Sequence, residues 1–151
     1  MTTVSSSPTT IPTTAWPVAP LGALVTVVAS AATAYGAHTW SEVLITVPVI
    51  VVVAGLVFAR VLPRALRKES QGRAALGMAI PGALLLLPAF WSGLPLVLGV
   101  GAVIAGNAGR RGRSGAGASI AGLVLGALTV LGYLATYTME IATGVGGFEY
   151  L

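Results

Sequence analysis

Very few side chains in this sequence could do chemistry. The 151 residues contain four Asp or Glu residues, one histidine and no cysteine. His38 and Glu42 are four residues apart and would meet on one helix face, but two ligands are too few for a metal site. A general acid–base pair would also need a further titratable partner in a cleft. The sequence therefore predicts no enzymatic activity, no cofactor and no metal, and it predicts that this pair is an interfacial polar cluster.

The basic residues are confined to two short stretches that separate long uncharged apolar runs. The first contains Arg60, Arg64, Arg67, Lys68 and Arg73, and the second contains Arg110, Arg111 and Arg113. This placement indicates membrane topology rather than nucleic-acid binding. Basic side chains at a membrane surface also attract anionic headgroups. The residues expected to contact anionic lipid or a membrane partner are Arg64, Arg67, Lys68, Arg73, Arg110, Arg111 and Arg113. The alternative is that they only set the orientation of the chain.

Small residues recur at a spacing of four in two apolar segments. Gly122 and Gly126 form a GxxxG motif that Ala118 precedes at the same spacing, and Gly101, Ala105 and Gly109 form a similar stripe before it. Such stripes let helix backbones approach closely in lipid. Two interpretations stay open: packing between these two helices of one chain, which we prefer, and a homo-oligomer face.

The elements that carry these residues are apolar helices. The chain is 56% hydrophobic and 8% charged, with a mean hydropathy of +0.92, whereas soluble domains are about 25% charged. About 20 apolar residues cross a membrane as a helix. The apolar stretch after the first basic residues is too long for one crossing and contains three prolines and the turn sequence FWSG. The sequence therefore predicts an all-α integral membrane protein with transmembrane helices at about 18–38, 43–62, 74–90, 93–108 and 118–138.

The charge distribution predicts the orientation and the organisation of the chain. With five crossings both basic stretches lie in the cytoplasm, so the N-terminus is inside and the C-terminus is outside. The first apolar segment lacks the positive region of a signal peptide, so we expect it to be retained rather than cleaved. The predicted parts are a disordered Ser/Thr/Pro-rich cytoplasmic tail (1–17), a transmembrane hairpin (18–62), a basic loop (63–73), a three-helix membrane domain (74–138) with a basic loop at 109–117, and a short extracytoplasmic tail (139–151).

The second half of the chain has a recognisable order of segments. An Ala/Gly-rich helix, a Pro-containing turn, the run LGVGAVIAGNAGRRGR and the run ASIAGLVLGAL follow one another within about residues 74–135. This order resembles a family of small Gly/Ala-rich actinobacterial membrane proteins that is classed as a domain of unknown function. The resemblance implies a bacterial membrane location and no established activity. Pro81 and the additional hairpin at 18–62 depart from the family pattern.

The predicted role follows from what the sequence lacks as well as from what it contains. Ion-coupled transporters usually need ionisable residues within the membrane, and the apolar runs of this chain hold none at mid-depth. We therefore expect a multi-pass protein of the cell membrane that is a structural or accessory subunit, in contact with anionic lipids or part of a larger complex. The alternative is a pore or facilitator for a small solute, formed by a homo-oligomer.

Overall fold

The computed structural model describes residues 18–67, 70–110 and 115–144, and these residues form only helices and the turns between them. The five helices are α1 (Val18–Gly36), α2 (Trp40–Arg67), α3 (Gln71–Leu85), α4 (Leu94–Gly109) and α5 (Ala116–Thr143). The predicted all-α class is confirmed for this part of the chain. Helices α1, α2 and α5 are long and apolar enough to cross a membrane, whereas α4 is apolar but has only 16 residues.

Successive helices run in opposite directions, so the molecule has two ends. At one end the start of α3 meets the start of α5, since a Cβ at Gly72 would lie 2.9 Å from the carbonyl oxygen of Gly115. We call this the basic end, because the arginines of the described residues lie there: Arg60, Arg64, Arg67, Arg73 and Arg110. At the opposite end, a Cβ at Gly36 would lie 3.2 Å from the hydroxyl of Tyr137 and 3.7 Å from Trp91.

The helices form two groups. Helices α3, α4 and α5 each pack closely against the other two, and we call them the three-helix unit. Helices α1 and α2 pack against each other as a hairpin, and this hairpin contacts the unit mainly through α4. Helix α4 therefore lies at the centre of the molecule, in contact with all four other helices.

Helix α2 begins earlier than the predicted residue 43. Thr39 caps it, because its hydroxyl oxygen accepts a hydrogen bond from the backbone N–H of Glu42 at 3.4 Å. The Glu42 carboxylate in turn accepts a bond from the backbone N–H of His38 at 2.9 Å. This arrangement is a variant of the capping box, in which Thr and Glu three residues apart satisfy free N–H groups. As a result, Pro48 lies in the third turn of α2.

Helix α2 also continues beyond the predicted end at Pro63. A π-helical turn at Val57–Val61 precedes this proline, and the N–H of Leu62 bonds to the carbonyl of Val57, five residues back. Proline normally breaks a helix by its missing N–H and by contact with the carbonyl four residues earlier. The wider π-turn changes that spacing, so the helix reaches Arg67. The predicted basic loop at 63–73 is therefore wrong in extent, because helix covers it up to Arg67 and again from Gln71.

The remaining boundaries differ from the predictions by a few residues. Helix α3 begins at Gln71 and ends at Leu85, with Pro81 inside it. The predicted hairpin turn is present as the short 3₁₀ helix Phe90–Ser92, followed by Gly93 with φ of +66°. Helix α5 runs to Thr143 rather than 138, so the first part of the predicted extracytoplasmic tail is helical. The predicted disordered tail at 1–17 and the final residues from 145 lie outside the described residues.

Candidate functional site

The surface of α5 reverses the pattern of a soluble helix. Its buried residues are small or hydroxyl-bearing: Ser119, Gly122, Gly126, Thr129, Tyr133 and Tyr137. Its exposed residues include large apolar side chains: Ile120, Val124, Leu128, Leu131 and Leu134. A soluble helix buries its apolar stripe and exposes polar residues. The exposed face of α5 therefore suits apolar surroundings such as lipid.

The hairpin shows the same reversal. The exposed large side chains of α1 and α2 include Leu24, Val27, Leu44, Ile45, Val51, Val52 and Leu56. Leu44 and Ile45 are 70% and 68% exposed, whereas Ala29 and Thr33 of α1 are fully buried. Soluble monomers rarely expose contiguous apolar patches of more than a few hundred Å². The apolar exterior therefore extends to both groups of helices.

The buried serine and threonine hydroxyls of α1 and α5 are satisfied within their own helices. Thr33 and Thr129 each donate a hydrogen bond of 2.9 Å to the carbonyl oxygen four residues earlier, and Ser119 does the same at 3.1 Å. Such bonds let Ser and Thr lie in a dry interior without a partner on another helix. These three hydroxyls already donate to backbone carbonyls, so none of them has a free hydrogen-bond donor for a ligand.

The GxxxG glycines contact other helices of the same chain. A Cβ at Gly122 would lie 2.5 Å from the Cβ of Ala75 on α3, and one at Gly126 would lie 2.8 Å from the Cβ of Ala102 on α4. The two glycines therefore serve two different neighbours. Ala118 lies at the edge of the first contact, where its Cβ would be 3.2 Å from a Cβ at Gly72.

The predicted stripe on α4 faces α5 only at its end. A Cβ at Gly109 would meet the side chain of Ser119 on α5. Gly101 instead lies against Met78 of α3 and Val57 of α2, each 2.9 Å from the position of an added Cβ, and Ala105 is fully buried. The rest of the contact with α5 is made by other small residues of α4, at Gly99, Ala102 and Gly106. Sequence reasoning missed these residues, although Gly99 and Gly106 are seven apart and so lie on one helix face.

The arginines at the basic end are exposed and form no ion pair with another described residue. Arg64, Arg67, Arg73 and Arg110, and also Arg60, are exposed, and none of them forms a salt bridge with a described residue. Lys68, Arg111 and Arg113 lie outside the described residues. Charged side chains that the described residues leave unpaired at the rim of an apolar surface are suited to bind phosphate groups.

At the opposite end, Tyr137 joins three segments of the chain. The hydroxyl of Tyr137 lies 2.9 Å from the carbonyl oxygen of Ala32 and 3.1 Å from that of Trp91, so it connects α5 to α1 and to the hairpin turn. The ring of Tyr137 also packs on that of Tyr133, with centroids 4.8 Å apart. Aromatic residues of this kind collect at membrane interfaces.

The polar pair at this end has no catalytic geometry. The Nδ1 atom of His38 lies 3.9 Å from a carboxylate oxygen of Glu42, and the His38 side chain is 72% exposed. Glu42 already serves the cap of α2. No group of three or more metal-ligating side chains occurs within residues 18–67, 70–110 and 115–144. The pair thus stabilises the turn between α1 and α2.

No family model, curated protein or solved structure matches this chain. The resemblance of residues 74–135 to small actinobacterial membrane proteins therefore stays a prediction.

Proposed function

We propose that this chain is a multi-pass protein of the cell membrane that crosses the bilayer five times, with the N-terminus in the cytoplasm. The observation that carries the proposal is the reversed pattern of the surface, with large apolar side chains outside and small or hydroxyl-bearing residues inside. Lipid accepts such a surface, and water does not. The orientation follows from the clustering of arginines at one end, since basic loops remain in the cytoplasm.

The crossing by the α3–α4 hairpin is the demanding part of this proposal. Helices of 15 and 16 residues extend only about 22–24 Å, against about 30 Å of hydrocarbon. The hairpin turn nevertheless lies at the level of the end of α1, because Trp91 and Gly36 both meet Tyr137. Local thinning of the bilayer accommodates a short span at modest cost.

Single cysteines test the five crossings, since the chain has no cysteine of its own. We expect Ser41→Cys, Leu87→Cys and Thr143→Cys to react with an impermeant maleimide on intact cells, because all three positions are exposed at the end opposite the arginines. Ser70→Cys and Gly117→Cys should react only after permeabilisation. Labelling of the variants at 41 and 143 but not at 87 would contradict five crossings and favour three.

We further propose that the protein is a non-enzymatic structural or accessory subunit whose basic end contacts anionic lipid or a membrane partner. The unpaired arginines support this role, because a partner or headgroup would supply the counter-charge that the described residues do not. The alternative of an oligomeric pore through Gly122 and Gly126 has less support, since both glycines are buried against helices of the same chain.

Extraction in native nanodiscs followed by mass measurement tests this role. We expect a complex of defined stoichiometry that contains another polypeptide, and proteoliposomes of the purified chain that are no more permeable to small solutes than empty ones. A homo-oligomer that carries solute flux would contradict the subunit role and favour the pore.

A further inference from the structure

A groove on the outside of the hairpin is not explained by the packing of the protein. It has a volume of about 470 Å³ and lies between α1 and α2, with walls that include Ala19, Ala23 and Thr26 on one side and Gly55 and Ala59 on the other. Ligand pockets in proteins commonly measure about 300–1,000 Å³. The groove is therefore large enough to hold part of a small molecule or of a lipid chain.

The chemistry of the walls suits a hydrocarbon chain. Its lining consists of Gly, Ala, Val, Phe and a single threonine. The hydroxyl of that residue, Thr26, donates a hydrogen bond of 2.7 Å to the carbonyl oxygen of Gly22 in its own helix. No lining side chain thus offers a free polar group that a ligand in the groove would have to satisfy.

The groove ends at the basic end of the molecule. Its last residue on α2 is Ala59, which Arg60 follows directly and Arg64 follows after about one more turn. Its first residue on α1 is Ala19, near the start of the described part of that helix. Both arginines are exposed and without an ion pair among the described residues. Positive charge therefore meets the mouth of an apolar groove.

We propose that this groove binds one anionic glycerophospholipid, with an acyl chain between α1 and α2 and its phosphate beside Arg60 and Arg64. The charge of the mouth selects a lipid over a second copy of the chain, because the corresponding face of a second copy carries the same arginines. The proposal rests on the membrane location proposed above and adds a specific lipid site to it. An acyl chain would fill the space that the small side chains of α1 and α2 leave between the two helices.

Two glycines give a matched pair of variants for the test. Gly55 lines the groove, and a Cβ placed on it has no neighbour within 4 Å, so Gly55→Leu adds a side chain at the groove without a clash at its Cβ. Gly77 on α3 is equally open but does not line the groove, so Gly77→Leu is the control. The measurement is native mass spectrometry of the full chain in mild detergent, supplied with phosphatidylglycerol or phosphatidylcholine of identical acyl chains.

We expect wild type and Gly77→Leu to retain one phosphatidylglycerol, with phosphatidylcholine bound more weakly, and Gly55→Leu to retain neither lipid above background. Removal of Arg60 or Arg64 by substitution with Gln should reduce the preference for phosphatidylglycerol about fivefold for each arginine, as for basic residues near an anionic surface. Arg73 and Arg110 lie away from the groove, so Arg73→Gln and Arg110→Gln should keep the preference for phosphatidylglycerol.

Three results would overturn the lipid site. Equal lipid retention by Gly55→Leu and Gly77→Leu would show that the groove is not occupied. An equal loss of the preference for phosphatidylglycerol in all four arginine variants would mean that the basic end attracts anionic lipid as a whole, without a specific site at the groove. A dimer that Gly55→Leu dissociates would identify a second copy as the occupant. The cysteine labelling above reports separately on the membrane location, so the lipid site and the proposed function fail in different experiments.

Discussion

The two groups of helices are held together in different ways. In the three-helix unit, α4 buries ten of its 16 residues, and glycines bring backbones into contact on several of its faces. In the hairpin, the segment Trp40–Leu56 of α2 buries only Ile50 and Ala54 among its 17 residues. The one close glycine contact of the hairpin is at Gly22, against the ring of Phe58.

The difference follows from what drives helix association in lipid. Lipid tails are as apolar as Val or Leu, so large side chains gain little by turning inward, and close backbone contact decides which helices pack. The unit is rich in Gly and Ala and packs tightly. The hairpin is rich in Val and Ile, many of which face outward, and the groove beside Gly55 remains between its helices. We therefore regard the unit as the rigid part and the hairpin as the adaptable part.

Gly122→Leu should cause the largest loss of stability, because it forces apart the backbones of α3 and α5 at a close contact of the unit. A Cβ at this position would lie 2.5 Å from Ala75 Cβ and 2.7 Å from the Ala75 backbone carbon, so α3 and α5 must move apart. Overpacking of this kind costs about 1–3 kcal/mol or more. Reversible unfolding in mixed micelles, followed by circular dichroism, measures the loss. Gly77→Leu is the control and should unfold as wild type does; equal behaviour of the two variants would contradict the tight unit.

Gly93→Ala should have the next largest effect, because it alters the joint between the two groups. Gly93 has φ of +66°, and a Cβ there would lie 2.7 Å from the carbonyl oxygen of Ala29 on α1. The left-handed conformation alone costs about 1–2 kcal/mol for a residue with a Cβ. Gly144 has φ of +68° and open space around it, so Gly144→Ala measures the conformational cost alone. An equal loss of unfolding free energy in both variants would mean that the contact with Ala29 is unimportant.

Tyr137→Phe should have a smaller effect, because it removes only the hydroxyl that joins α5 to α1 and the turn. Hydrogen bonds between helices in membranes contribute about 0.6 kcal/mol on average and up to about 1.7 kcal/mol. Tyr133→Phe is the matched control, since the hydroxyl of Tyr133 is buried without a hydrogen-bond partner. In the same unfolding measurement, Tyr137→Phe should lower the free energy of unfolding more than Tyr133→Phe does. A greater loss from the change at 133 would contradict the role of the hydroxyl of Tyr137.

Ile45→Ala should have the smallest effect, because this side chain faces the lipid. Ile45 is 68% exposed, so lipid fills the space that its side chain leaves. Ile50 lies on the same helix and is fully buried, and Ile50→Ala should cost more because it leaves a cavity. The pair tests whether the sparse core of the hairpin still contributes to stability. Equal unfolding free energies for the two variants would mean that α2 has no packed face at all.

The sequence predicted the five helices because length, apolar runs and prolines limit the possibilities. Helix α1 and the FWSG turn were found near their expected positions. The ends of α2 were not, for two physical reasons. Thr39 and Glu42 form a capping pair that the apolar pattern alone does not reveal, and Pro63 would end a regular helix but does not end α2. A π-turn depends on what α2 packs against, and no local pattern reveals that.

The small-residue faces were predicted in part. Spacing identified Gly122 and Gly126 as contact residues, but it does not tell which neighbour each one meets. The structure assigns Gly122 to α3 and Gly126 to α4, and it assigns Gly101 to α3 and α2 rather than to α5. In a helix with small residues on several faces, such as α4, periodicity alone leaves the direction of each face open. Only the packing of all five helices settles it.

The hydroxyl of Tyr137 has a consequence for the biosynthesis of the chain. It bonds to a carbonyl of α1 that lies 105 residues earlier and to one in the hairpin turn 46 residues earlier. Translation runs from the N-terminus, so α1 enters the membrane well before the ribosome has made its partner on α5. Until then α1 is held by α2 and by the contact at Gly93. The contacts of Tyr137 therefore form last, after the final helix has been translated.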